Sequence, residues 1–266
     1  MAARAIWKGI IRFGGISVPV KLYSAVEDRN IHFRLLHEKD HTPVEQRMVN
    51  PATGEAVPGD QVRRGVETGE GEIVILTPDE LESLEPDASR DIEILRFVDP
   101  ERISHQWYDR PYYMGPDGDP APYFALVKAL EKERKEGVAR WKMRKKSYVG
   151  ALGIDNGYLT IITLRHAGEV VDAASLPRPS SRDLEPQELR MAEQLVSALE
   201  AEFDPAAYRD EYRDQVMALI ETKAQGGTIR MAKVREPRPK AASLTDMLER
   251  SLKQAKEENK RAGSTR

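Results

Sequence analysis

Arg140, Lys142 and Arg144 alternate with Trp141 and Met143 inside the stretch 139–152. On a strand, successive side chains point to opposite faces. Three cations would then share one face and leave Trp141 and Met143 to an apolar back. Lys146 and Tyr148 are expected to continue the basic face, with Lys145 adding charge at its edge. No Asp or Glu occurs from residue 137 to residue 154. The chemistry open to such a strand is electrostatic: it can neutralise the phosphates of a polyanion lying across a sheet. A strand that merely kept its exposed face soluble would look the same, so the rest of the chain decides.

Other chemistries find little support. The chain has no cysteine, which excludes disulfides, thiol catalysis and cysteine-ligated metal. His32, His37 and His41 stand five and four residues apart beside Asp40, a pattern better suited to solvent- or DNA-facing side chains than to a metal site. No phosphate-binding glycine loop of the P-loop kind occurs. The expectation is a binding protein, not an enzyme, without a cofactor.

The charge is unevenly placed. The net charge is −3, but residues 226–266 hold 11 Lys and Arg against 5 Asp and Glu. An acidic body thus surrounds one basic strand and ends in a basic tail, which concentrates polyanion binding at that strand. No apolar run is long enough to span a bilayer, and the first ten residues lack the apolar core of a secretory signal. A cytoplasmic, nucleoid-associated protein without membrane contact is the simplest expectation.

The elements that must position these residues follow from periodicity. Residues 6–24 read as two strands around the turn Gly14-Gly15, and 31–36 as a short strand. Residues 37–71 carry many turn formers, few large apolar residues, and the cations Lys39, Arg47, Arg63 and Arg64. Such a stretch reads as an arm leaving the body. Residues 73–76 suggest a buried strand. Thr77, Pro78 and Glu80 suggest a capped helix start. Strands are expected over 92–98 and 103–114, then a helix over 123–136 with Leu126, Val127 and Leu130 on one stripe and Gly137 ending it. The basic strand and its hairpin partner 158–165 follow, joined at Asn156-Gly157. Many short strands with regular turns suggest a barrel. Helical spacing takes over at 185–203 and 205–224, ending at Gly226-Gly227 and implying an antiparallel helical pair. Pro237 and Pro239 mark a linker over 235–242. Leu244, Met247, Leu248, Leu252 and Ala255 form the stripe of a short tail helix opened by Ser243 and Asp246. That helix suits docking to another protein as well as folding back on the body. Residues 253–266 are charged enough to lack structure.

Several ordered motifs resemble the bacterial Ku proteins. These are RAIWKG at 4–9, VPVKLYSA at 18–25, EIVILTPDEL at 72–81, SRDIEIL at 89–95, DRPYY at 109–113, 189–195, FDP at 203–205, YRDEYR at 208–213 and IETKAQG at 220–226. The resemblance implies a fold that is mainly β with helical additions: a β-barrel with a long bridging arm, a C-terminal helical pair and a short tail helix. It implies a barrel core over 1–182 with a DNA-encircling arm at about 37–71, a helical pair over 183–227 in the core and dimer scaffold, and a linker, docking helix and basic tail over 228–266. It further implies a homodimeric ring that binds double-stranded DNA ends without sequence preference in non-homologous end joining, and recruits a multifunctional bacterial DNA ligase. Candidate DNA contacts are Arg140, Lys142, Arg144, Lys145 and Lys146 on the barrel and Lys39, Arg47, Arg63 and Arg64 on the arm, with Arg34 and His105 as further candidates. Candidate ligase-docking residues are Leu244, Met247, Leu248 and Leu252. Some members of the family carry a Cys-x-x-Cys pair in the arm; Asn50 and Thr53 stand there in this chain, so no zinc is expected. A protein-interaction scaffold with non-specific nucleic-acid binding is the alternative.

Overall fold

The computed structural model describes residues 4–69, 71–178, 184–226 and 243–263. The chain divides into two compact units, one up to Ser175 and one from Leu176.

Among the described residues of the first unit are nine strands: β1 (Trp7–Phe13), β2 (Ile16–Ser24), β3 (Arg64–Glu67), β4 (Ile73–Leu76), β5 (Asp91–Val98), β6 (Tyr108–Pro116), β7 (Glu136–Met143), β8 (Lys146–Asp155) and β9 (Tyr158–Leu164). Seven of them close a barrel in the order β1-β2-β6-β9-β8-β7-β5, and β5 returns to β1 as a parallel neighbour. The inward residues of alternating strands fill it: Ile11, Val18, Val20, Leu22, Ile92, Met114, Trp141, Leu152, Leu159 and Ile161 are all buried. This is the barrel expected from the spacing of short strands, and period-two alternation explains it.

Between β4 and β5 runs α1 (Pro78–Ser83). Thr77 and Glu80 form the expected capping box, with the Glu80 amide donating to Thr77 Oγ1 and the Thr77 amide to the Glu80 carboxylate. The helix α2 (Ala121–Glu133) packs Tyr123, Leu126, Val127 and Leu130 on the barrel. Tyr123 staples it there: its hydroxyl donates to the Met114 carbonyl at 2.7 Å and accepts from the Leu159 amide at 3.0 Å. Gly137 does not end this helix. Arg134, in the left-handed region at φ 50°, is the cap, and Gly137 already belongs to β7.

Tyr108, at the start of β6, donates to Glu136 Oε2 at 2.9 Å, joining two strands that are not neighbours in the barrel. Burial first, then this carboxylate, pushes the Tyr108 hydroxyl up to about 12. The neutral form is thus favoured by folding. Its contribution is complete below pH 10, the ordinary tyrosine value, and is lost as pH rises through about 12. Tyrosinate absorbance should show a late step near pH 12 that disappears in Tyr108→Phe; a titration unchanged by that substitution would contradict this placement.

Three further expectations about the first unit need correction. The stretch 139–152 is not one strand. β7 ends at Met143, and Arg144 and Lys145, at φ 50° and 67°, form a two-residue turn into β8. Residues 31–36 form no strand; a single bridge joins Leu36 to Pro43. β4 is not buried: Ile73 and Ile75 are 70% and 61% exposed. It pairs only with β3, and a two-stranded ribbon has no second layer to cover it.

The second unit holds α3 (Pro186–Ala198), α4 (Glu211–Ala224) and α5 (Leu244–Gly263). α3 packs chiefly on α5 and not, as expected, on α4. Leu252 and Ala255 of α5 are buried, while Tyr212 and Ile220 of α4 stay exposed. The tail helix is also longer than expected, running to Gly263 through residues expected to lack structure. The predicted linker 235–242, Gly227 and residues 264–266 lie outside the described residues.

Candidate nucleic-acid interface

Strand alternation fixes one cationic face. On β7, Ala139, Trp141 and Met143 are buried, whereas Arg140 is exposed and Lys142 half-buried on the outside. Trp141 and Tyr148 are cross-strand partners, and their rings stack at 5.4 Å and 17°. Tyr148 therefore lies on the apolar side, opposite Arg140. Lys146 pairs with Met143 and shares that side, exposed because it sits at the end of the hairpin. Neither residue continues the basic face as expected. Arg144 and Lys145 leave it too, because they are the turn.

The neighbouring strands complete the face. β5 pairs with both β1 and β7, so Glu93 is the cross-strand partner of Arg12 on one side and of Arg140 on the other. Arg140 Nη2 lies 3.0 Å from Glu93 Oε2, and Arg12 Nε lies 2.7 Å from Asp91 Oδ1. Lys142 has no ion-pair partner among the described residues. These side chains border an open cleft of about 850 Å³ into which Ser17, Ser89 and Ser147 also face. Arg12 and the two carboxylates are absent from the site expected on sequence. Along β1, Lys8 and Arg12 share the face opposite the buried Ile11, and that period of two is the signal that points to the arginine.

The turn serves two further neighbourhoods. Lys145 Nζ meets Glu85 Oε2 at 2.7 Å, and the hydrogen bond and charge of Glu85 hold its ammonium above the usual lysine range. Arg63 and Arg64 line the same groove, of about 310 Å³, with Glu82 and Glu85. Three predicted contacts from two distant stretches thus come together at the base of the arm. The Arg63 guanidinium is turned to its own backbone, donating to the Asp60 and Val62 carbonyls. Arg110 stands over the Tyr112 ring at 5.9 Å, and the charge of Arg144 also reaches the Tyr112 hydroxyl. Burial raises the Tyr112 hydroxyl, and both arginines oppose that rise.

The outer arm carries the remaining candidates separately. Arg34, Lys39 and Arg47 are exposed, Arg47 at 3.7 Å from Glu45. Local turns shape this segment. Asp40 accepts from the Thr42 amide, the Thr42 hydroxyl and His37, and these bonds hold its carboxyl below the usual range. Asn50 and Thr53 cap a second reversal, accepting from the Ala52 and Glu55 amides. His105 lies exposed in the turn before β6. On the tail helix, Leu244 and Met247 are exposed, Leu248 is half-buried and Leu252 is buried. Leu252 is therefore covered within the chain, a correction to its reading as an open docking residue. No described helix is long and apolar enough to cross a membrane.

A closed β-barrel bearing an extended arm, with cations collected on one barrel face and at the base of the arm, defines the class to which this chain belongs. The chain matches the family model described as "Ku: Ku70/Ku80 beta-barrel domain" over residues 12–191. It is 39% identical over 254 residues to non-homologous end joining protein Ku 2 of Geotalea uraniireducens, covering 95% of this chain and 99% of that one. It is 34% identical to non-homologous end joining protein Ku of Koribacter versatilis, covering 97% and 89%. To the protein of that name from Mycobacterium tuberculosis it is 35% identical, covering 84% of each. The chain belongs to the Ku family, a family of non-enzymatic DNA-binding proteins.

Proposed function

We propose that this chain binds the ends of double-stranded DNA without sequence preference, as a homodimeric ring, in non-homologous end joining. The observation that carries the proposal is near full-length similarity to proteins named for that process. The face formed by Arg12, Arg140 and Lys142 supplies phosphate contacts, which position a duplex but read no sequence. The arm supplies Arg34, Lys39, Arg47, Arg63 and Arg64, and the hairpin turn Arg144 and Lys145. Lys146 and His105 are secondary contacts.

Dimerisation is supported by apolar surface that one chain leaves open. Val66, Ile73, Val74 and Ile75 on the ribbon and Val196, Phe203, Tyr208 and Tyr212 in the second unit are all well exposed. Clusters of this kind mark association surfaces. The tail helix recruits a multifunctional DNA ligase through Leu244 and Met247, with Leu248 at the edge of the contact. The domain roles follow: barrel and arm hold DNA, the helices up to about residue 227 stabilise the dimer, and the tail meets the ligase.

The test is a gel shift on linear and covalently closed circular duplex of equal mass. Binding confined to the linear form is expected. Equal binding to both would replace the ring by an ordinary basic surface.

A further inference from the structure

Three cations of the barrel and its hairpin turn are each matched by a carboxylate from another element. Arg12 meets Asp91, Arg140 meets Glu93, and Lys145 meets Glu85. Asp91 and Glu93 come from β5, which lies between β1 and β7 in the barrel. The sheet therefore places a row of acid between two rows of base. Glu85 follows α1 and reaches the hairpin tip from the arm side. All six side chains are between 33% and 65% exposed, so these pairs add little to folding. Their consequence is for a ligand. A phosphate arriving at Arg140 must displace the Glu93 carboxylate and then sit beside it. A pair that stays neutral contributes nothing to counterion release.

Resting on the reading of this face as the DNA contact, we infer that Asp91, Glu93 and Glu85 are affinity-limiting residues, built-in competitors of the DNA phosphates. A tethered carboxylate competes at a local concentration that does not depend on the salt in solution. It shortens each phosphate contact, because the cation always has a second partner within reach. A protein that encloses its duplex is held by topology, and weak exchangeable contacts leave it able to move along the DNA. Lys142, without such a partner among the described residues, is the one persistent contact of the barrel face.

The test compares charge-matched variants of the full chain on linear duplex. Asp91→Asn with Glu93→Gln, and separately Glu85→Gln, remove the competitors while keeping side-chain size. Glu131→Gln with Glu133→Gln on α2 changes the net charge by the same amount as the first pair, away from this face. The β5 double variant is expected to bind about five- to tenfold more tightly, with slower dissociation and a steeper salt dependence. Glu85→Gln should shift both in the same direction by a smaller factor, and the α2 control by less than about twofold. Wild-type affinity and dissociation in the β5 variant, while Arg140→Glu with Lys142→Glu abolishes binding, overturns the inference and leaves the DNA face standing. Equal tightening by the α2 control overturns it as a bulk-charge effect. Indifference of binding to both the carboxamide and the charge-reversal variants removes the face and the inference together.

Discussion

Arg140→Glu with Lys142→Glu is expected to weaken binding to linear duplex by about a hundredfold or more at moderate salt, because two phosphate contacts become two repulsions. Both side chains lie on the outer face of β7, away from the barrel interior. The substitution therefore reaches the ligand without opening the core. It does place a new carboxylate opposite Glu93, the cross-strand partner of Arg140, and like charges there cost about 0.2–1 kcal/mol of stability. Arg140→Gln with Lys142→Gln avoids that cost and should still lose about tenfold, with a salt dependence shallower by about one charge, that of Lys142, since Arg140 is already paired with Glu93. Fluorescence anisotropy across a salt series measures both effects, and light scattering checks that the dimer persists. Wild-type affinity in both variants would remove this face from the DNA contact. Arg144 belongs in a separate experiment, since it stands on the turn and not on the outer face of β7.

Trp141→Ala should destabilise the first unit by about 3–5 kcal/mol, the usual result of emptying a buried aromatic site. Trp141 is 1% exposed, stacks on Tyr148 and lies against Gly150, where an added Cβ would come within 2.7 Å of the indole. The glycine and the indole are thus shaped to each other. A domain has only about 5–15 kcal/mol of stability in total, so the loss should be plain as a lowered urea midpoint. Trp141→Phe should cost less. It keeps a ring in place and removes the indole Nε1–H, which finds no protein acceptor among the described residues. A Trp141→Ala variant that melts like the wild type would show that the inward face of β7 does not anchor the barrel. Because the cations alternate with this core row, DNA affinity should fall along with stability in Trp141→Ala.

Much of this arrangement can be read along the chain. Alternation in 139–143 separates Trp141 from Arg140 and Lys142 because the strand is half-buried, and half-burial writes a period of two into the residues. Thr77, Pro78 and Glu80 announce α1 because a helix N-terminus needs local acceptors. The hairpin at Asn156-Gly157 is legible because both residues tolerate positive φ. The turn at Arg144-Lys145 is not, because neither residue favours the left-handed region it adopts. Without that turn, alternation assigns Lys146 and Tyr148 to the wrong face, since the chain reverses before them.

The acidic row is hidden for a different reason. Asp91 and Glu93 are some fifty residues before Arg140, and only the register of β5 against β7 brings them together. A charge count along the chain finds no acid from 137 to 154; the sheet brings Asp91 and Glu93 in from elsewhere. The exposure of β4 is equally unreadable. Its apolar run looks like a core strand, and the described residues provide no layer to cover it. The stripes of α3 and α5 are amphipathic, that of α4 only weakly so, and periodicity does not say which helix takes which neighbour.

The most direct measurement uses one closed circular duplex before and after a single cut. Length, sequence and total phosphate are then the same, and only the presence of ends differs. A ring that threads onto DNA should bind the cut form, in stepwise complexes as more copies load, and leave the closed circle unbound at the same salt. Equal affinity for the cut and uncut molecules would contradict it, because a basic surface binding from the side has no need of an end.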